Sequence, residues 1–288
     1  MSIIDQSIYH RKSGEPLPDG FVLTPGGYRH QSLVHHVPQG HKVRRRKQEL
    51  QIVHRSSQRI VARHSIAPEN ELNVVIPGLG SGWVTSVSWL DPTGDTISQF
   101  ATTWTVPPAP STGDQGQTIF LFNGLQNPTA SSLLQPVLQW GASQAGGGAY
   151  WSISNWYIDD SGHVTHSDFL QVPSGQVLTG IVALRQESGG LCTYTVGFDG
   201  YSYLDLAASG VDPSPLAVEV LESYQIGDCT EYPNTPSTSM SSIFIAADGT
   251  EPNIIWTPHS QNTGCQEHCV VTNTANPGGA VEIYYSGA

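Results

Sequence analysis

The sequence predicts an all-β protein, an antiparallel β-sandwich or jelly roll preceded by a basic N-terminal leader. Three observations point there. After residue 80, apolar and polar residues alternate with period two in ten short runs, as in strands packed on one face of a sheet. Thirty glycines and 20 prolines separate these runs, and no strong helical segment intervenes. Charged residues make up only 12% of the chain, about half the share of an ordinary soluble protein. No apolar run approaches the roughly 18 residues needed to cross a bilayer, so no membrane partner is expected. Heptad repeats are absent, and the start MSIIDQSIYHRKSGE lacks the apolar core of a signal peptide.

The elements follow in order. Residues 1–75 hold eleven of the twelve Lys and Arg against six acids, a net +5, together with seven of eleven histidines. Residues 76–288 hold one cation, Arg185, and eighteen acids, a net −17. Such polarity indicates two units, a leader over 1–75 and an acidic body over 76–288. Residues 1–40 carry turn signals such as Pro25-Gly26-Gly27. Residues 41–66 alternate basic and apolar positions and read as one or two strands or a poor helix; 67–82 reads as a linker. The body's strands are expected at 83–90, 97–106, 117–124, 133–140, 149–158, 177–185, 191–199, 216–224, 241–247 and 280–286. About 200 residues suffice for two packed sheets.

The basic run Arg44-Arg45-Arg46-Lys47 is of a kind that binds nucleic acid. No aromatic platform or recognition helix accompanies it, so a nucleic-acid partner is not expected. It reads instead as a solvated run, or as a segment lying against the chain's own acidic body. The four cysteines suit an exported protein with two disulfides, Cys265–Cys269 and Cys192–Cys229. Zinc at Cys265-Gln266-Glu267-His268-Cys269 would need a second ligand pair, and none is evident. Free thiols are the remaining reading. There is no Gly-x-Ser-x-Gly elbow, His-Glu-x-x-His helix or phosphate loop. His163, His166, His259 and His268 read as surface residues in turns or loops, and no metal or cofactor is expected.

Two strands carry candidate chemistry. In Ala217–Tyr224, alternation places Val218, Val220, Glu222 and Tyr224 on one face and Glu219 on the other. A carboxyl among valines and a tyrosine is desolvated, which raises its pKa and suits acid–base work; the plainer alternative is an edge glutamate reaching water. In Leu133–Trp140, Gln135, Val137 and Gln139 share the face opposite the apolar one. Trp151, Ile153, Asn155 and Tyr157 also share a face, of the aromatic and amide kind that binds a peptide or a sugar.

A series of short blocks in the body resembles the glutamic peptidases of the eqolisin family. Phe100–Pro107 resembles that family's early strand ending in Val-Pro, and Phe122-Asn123-Gly124-Leu125-Gln126 resembles its Trp-Val-Gly-Ile-Asp block. Leu134–Trp140 is similar to the block in which the catalytic glutamine stands, at the position of Gln135. Asn155-Trp156-Tyr157 is similar to Glu-Trp-Tyr, and Pro173-Ser174-Gly175-Gln176 to the turn after it. Val220-Leu221-Glu222-Ser223-Tyr224 is similar to Ile-Ile-Glu-Asp-Phe, where Glu222 takes the place of the catalytic glutamate. The series spans residues 83–247.

The resemblance implies a concanavalin-A-like sandwich, an endopeptidase with a Glu222/Gln135 dyad, a polypeptide substrate, a basic propeptide and export. Phe122, Gln126, Gln139, Trp151, Asn155 and Tyr157 would line the substrate cleft, with Tyr157 best placed to assist. The chain departs from the pattern where Gln126 and Gln139 replace aspartates, Phe122 a tryptophan and Asn155 a glutamate. Converting carboxylates to amides removes like-charge coupling at Glu222; it shifts the working pH or marks a relative that binds without cutting. A lectin-like sandwich using Trp151, Tyr157 and the glutamine face is the alternative function, and a permanently masked structural or inhibitory protein a third. The chain is expected to be a monomer whose leader covers the Gln135/Glu222 groove at neutral pH. Release in acid would then come from body carboxylates losing charge, because extra histidine charge alone would tighten the contact. A maturation cut is expected within 65–82.

Overall fold

The computed structural model describes residues 19–66, 82–261 and 263–286. Most of the expected linker and the segment for the expected cut lie outside those residues. The strands, in chain order, are β1 (Phe21–Thr24), β2 (Gly27–His30), β3 (Val34–His36), β4 (His41–Arg46), β5 (Glu49–His54), β6 (Ile60–Ser65), β7 (Trp83–Leu90), β8 (Ile97–Thr105), β9 (Thr118–Gln126), β10 (Leu133–Ser143) and β11 (Gly146–Ile158). There follow β12 (Val164–His166), β13 (Leu170–Gln171), β14 (Val177–Ser188), β15 (Leu191–Phe198), β16 (Leu206–Val211), β17 (Leu216–Tyr224), β18 (Ser237–Ala247), β19 (Thr257–Ser260), β20 (His268–Asn273) and β21 (Gly279–Tyr284).

They form an all-β sandwich. One sheet runs β19-β7-β17-β9-β10-β11-β12-β3, with β13 also on β11; the other runs β20-β21-β18-β8-β14-β15-β16-β4-β5-β6. Pairing is antiparallel except at two places, where β3, at the edge of the first sheet, lies parallel to β12 and β4, inside the second, lies parallel to β16. Residues 34–65 thus extend both sheets of the body, and 41–66 forms strands with no helix. Val43, Leu50 and Ile52 enter the main core alongside Leu121, Leu138, Trp151, Leu221 and Ile245.

A second apolar cluster lies on the outer face of the first sheet. Phe120, Phe122, Val137, Trp156, Val218, Val220 and Tyr224 form its floor, and Leu23 and Tyr28 cover it. Those two residues belong to the β1–β2 hairpin. Thr24 and Gly27 face each other across the two-residue loop Pro25-Gly26. Proline presets φ at the first loop position, and Gly26 takes φ 93° at the second, as a type II turn requires. The Gln144 N–H donates to the Leu23 carbonyl at 2.9 Å, tying the hairpin to the β10–β11 turn.

The disulfide expectation is corrected. Cys229 and Cys265 are bonded, with Cα atoms 5.5 Å apart, while Cys192 and Cys269 are buried free thiols. Strand alternation turns Cys269 into the core, where it accepts from Thr85 Oγ1 at 3.2 Å. Cys265, in the preceding loop, faces the Cys229 turn instead.

Candidate active site

Gln135 stands on β10 and Glu222 on β17, with β9 between these strands. Both side chains are wholly buried. The β17–β9 register is unbroken past Glu222, which faces Phe120. On the other side the register with β7 shifts at this residue, so that Leu221 faces Thr85 and Glu222 faces Trp83. This bulge brings Trp83 alongside the carboxyl, a common device next to active sites. The Trp83 ring then meets Phe122 edge-on at 5.9 Å.

The Glu222 carboxyl has three short contacts. Tyr224 Oη donates to Oε1 at 2.5 Å, and the Gly26 N–H donates to Oε1 at 2.8 Å and Oε2 at 2.9 Å. Gln135 Nε2 donates to the Pro25 carbonyl at 3.4 Å, the long end of hydrogen bonding. One peptide bond, Pro25–Gly26, is therefore held at its oxygen by Gln135 and at its nitrogen by Glu222. Burial raises the Glu222 pKa to about 7, against the opposing pull of the Tyr224 hydroxyl, the Gly26 N–H and the Arg29 charge.

Glu219 lies on the opposite face of β17, wholly buried between the sheets, and accepts from Thr102 Oγ1 at 2.5 Å. Burial drives its pKa well above the usual carboxylate range, against the opposing pull of the Thr102 hydroxyl.

The other expected site residues divide between the two faces. Phe122 lies on the face of Gln135 and Glu222, under the hairpin. Gln126 is on that face further along β9, lining a groove of about 370 Å³ with Trp83, Leu216, Val218 and His259. Gln139 also shares the face, but its Nε2 donates to the Gly141 carbonyl at 2.7 Å and the Gly146 carbonyl at 2.9 Å, closing the β10–β11 turn.

Trp151, Asn155 and Tyr157 do not join them. Gln135 pairs with Trp156, so the even-numbered positions of β11 share the face of Gln135 and Glu222. Trp151 and Tyr157 pack in the core between the sheets, and Asn155 Nδ2 donates across it to the Leu204 carbonyl at 2.9 Å. The lectin-like platform built on Trp151 and Tyr157 therefore faces the interior. Residues at this site that the sequence reading did not name as site residues are Tyr224, Trp83, Trp156 and the Pro25-Gly26 turn. The alternation Glu222, Tyr224 was visible; the bulge at Trp83 and the long-range hairpin contact left no local signal.

His163 and His166 are 3% and 7% exposed, against the expectation of surface residues. Asp159 Oδ1 accepts from the backbone N–H groups of Ser161 and His163 at 3.0 and 2.9 Å, folding the turn that buries His163. The basic run also meets the body: Arg45 pairs with Asp160 and lies 3.6 Å from Asp159.

No family model matches the chain, and no curated protein does. Among solved structures it is similar to scytalido-glutamic peptidase with a peptide-based transition-state analogue, at TM-score 0.46 and 14% identity over 71% of this chain and 98% of that one. It is similar to SCP-B, a member of the eqolisin family of peptidases in complex with the tripeptide Ala-Ile-His, at TM-score 0.41 and 15% identity over the same shares. It is also similar to the alginate lyase Aly36B with an alginate trisaccharide, at TM-score 0.26 and 9% identity over 69% of this chain and 78% of that one. At such values these are distant likenesses of shape, and what this chain does is argued from its own side chains.

Proposed function

We propose that the protein is an endopeptidase using Glu222 and Gln135, made as a zymogen in which residues 1–75 are the inhibitory leader. The observation that carries this reading is the seating of Pro25–Gly26, with its oxygen at an amide donor and its nitrogen at a carboxylate. A scissile peptide needs those two partners, one for the developing oxyanion and one to manage the proton of the leaving amine.

In the open cleft, ionised Glu222 takes a proton from a water held between it and Gln135. The water attacks the substrate carbonyl while Gln135 donates to the oxyanion, a role worth about 2.7–4 kcal/mol for a single donor. Glu222 then returns the proton to the nitrogen as the C–N bond breaks. The docked turn resists this sequence for two reasons. Its N–H engages both Glu222 oxygens, and Tyr224 engages one of them again, so no strong acceptor remains to activate water. Gly26 also presents its hydrogen to the carboxylate, not the nitrogen that must be protonated. Burial is the largest cause of the raised Glu222 pKa, so opening the cleft lowers it towards the ordinary carboxylate range.

Digestion of denatured casein from pH 2 to 7 tests the reading. Glu222→Gln abolishes cutting and Gln135→Ala reduces turnover by about 10²–10³, while both variants keep the strand-rich circular dichroism of the parent. Full activity in either folded variant rules out the dyad.

A further inference from the structure

We infer that the histidines gathered where β3 and β6 meet the 159–167 segment form an acid-operated latch: neutral, they hold residues 34–65 on the body; protonated, they drive them off and withdraw the hairpin from Glu222. His35 is central. Its Nε2 lies 2.9 Å from His163 Nδ1, so one ring must donate and the other accept. The ring of His64, on β6, stacks on His35 at 3.6 Å between centroids, and His163 lies 5.2 Å from it. His64 Nε2 is buried without a hydrogen-bond partner among the described residues. His166 sits behind this group, its ring tilted against Trp156 with centroids 4.9 Å apart.

Three imidazoles can share this space only while uncharged. Protonating His163 at Nδ1 puts a donor against the His35 donor, and two charged rings at stacking distance repel in a dry site. The surrounding charges give little relief. Asp159 and Asp160 are held by Arg45, whose own charge opposes protonation of His163. Asp168 is held by His36 at 2.7 Å. Glu49 is held by Arg63 at 2.5 Å. The Ser65 carbonyl favours charge on His163, and Asp168 favours it on His166, but burial outweighs both.

The sign follows from linkage. Burial first, then the neighbouring histidines, lower the His35 pKa from 6.5 to about 3, and burial lowers that of His166 to about 4. The docked state binds these protons more weakly than the detached one, so docking is strongest above about pH 6.5 and weakens as pH falls towards 3. For His35 alone the docking constant drops about 10²-fold by pH 4. The His36–Asp168 pair is exposed, and a surface pair of this kind contributes only a few-fold to docking. This reverses the expectation from charge alone, that histidine protonation would tighten the contact. That expectation set the leader's histidines against an acidic body, whereas His35, His64 and His163 face one another.

The latch matters for activity only if the cleft is a peptidase site, but its movement can be read without catalysis. Amide hydrogen exchange of residues 34–36 and 60–65 is followed from pH 8 to 4 in the full Glu222→Gln chain, corrected for intrinsic exchange. Glutamine still accepts from Gly26 through its amide oxygen, and self-cutting is absent. Protection is expected to fall about 10²-fold or more, with a slope above one proton. His35→Phe and His64→Phe keep a stacking ring without the titration, and each should move the midpoint down by about one pH unit. His268→Gln, remote from the cluster, should leave it in place. If His35→Phe fails to dock at pH 8, His64→Phe decides alone, since that ring is only partly buried. Protection unchanged between pH 8 and 4, or a midpoint that His64→Phe leaves unmoved, overturns the latch. Acid release without casein digestion by the parent chain sinks the peptidase reading and leaves the latch standing.

Discussion

Replacing Tyr224 by phenylalanine removes one hydroxyl and keeps the ring that meets Tyr28 at 5.3 Å and Phe120 at 6.3 Å. The lost bond is the 2.5 Å contact from Tyr224 Oη to Glu222 Oε1. A hydrogen bond to a charged group contributes about 1.5–3 kcal/mol, and it favours the ionised carboxylate over the acid. At 1.36 kcal/mol per pKa unit, the Glu222 pKa should rise by about 1–2 units. In the proposed mechanism Glu222 works ionised, so the acid limb of the kcat/KM profile should move to higher pH by the same amount. One unit below the parent's limb, the variant should be slower by about 10–100-fold, with little loss on the plateau. The assay is a fluorogenic peptide hydrolysed by the leader-free enzyme across pH 2–8, with thermal unfolding as the check on folding. A limb that stays in place, or moves to lower pH, would show that Tyr224 does not support the carboxylate and that Glu222 is not the titrating base.

Glu219→Gln should leave kcat/KM within about twofold and stability within about 1 kcal/mol, because Thr102 keeps its acceptor and the side chain keeps its shape. A loss equal to that of Glu222→Gln would refute the assignment of faces on β17. A cyclised peptide of residues 21–30 should inhibit the leader-free enzyme in trans, measured as a Ki above pH 6.5. N-methylation at Gly26 should weaken it at least tenfold by removing the N–H that Glu222 accepts. Equal potency of the two peptides would show that the turn does not dock on the carboxylate.

Period-two alternation located the ten body strands to within a few residues, because each sets one apolar face on the core. It missed β12, β13, β16, β19 and β20. β16, Leu-Ala-Ala-Ser-Gly-Val, is made of small residues and has weak polar contrast. Alternation also put Glu222 and Glu219 on opposite faces and Gln135 with Gln139, since faces along one strand follow from backbone geometry alone.

Which face of β11 belongs to the cleft was not legible. Both of its faces are buried, one by the second sheet and one by the hairpin, so tryptophan stands on each. Only the pairing of Gln135 with Trp156 puts Asn155 and Tyr157 on the far side. The cysteine partners and the depth of the histidines were hidden for a related reason, as each depends on contacts between residues far apart in the chain. Sequence by itself determined the all-β class and the division of charge at about residue 75, both properties of composition or local spacing, while the two side chains now proposed as the dyad were picked out by the resemblance of short blocks. Tertiary structure alone decided that Pro25–Gly26 sits between those side chains and that three histidines meet at one seam. Contacts spanning 110, 128 and 196 residues leave no periodic trace along the chain, because chain folding, not local propensity, brings such partners together.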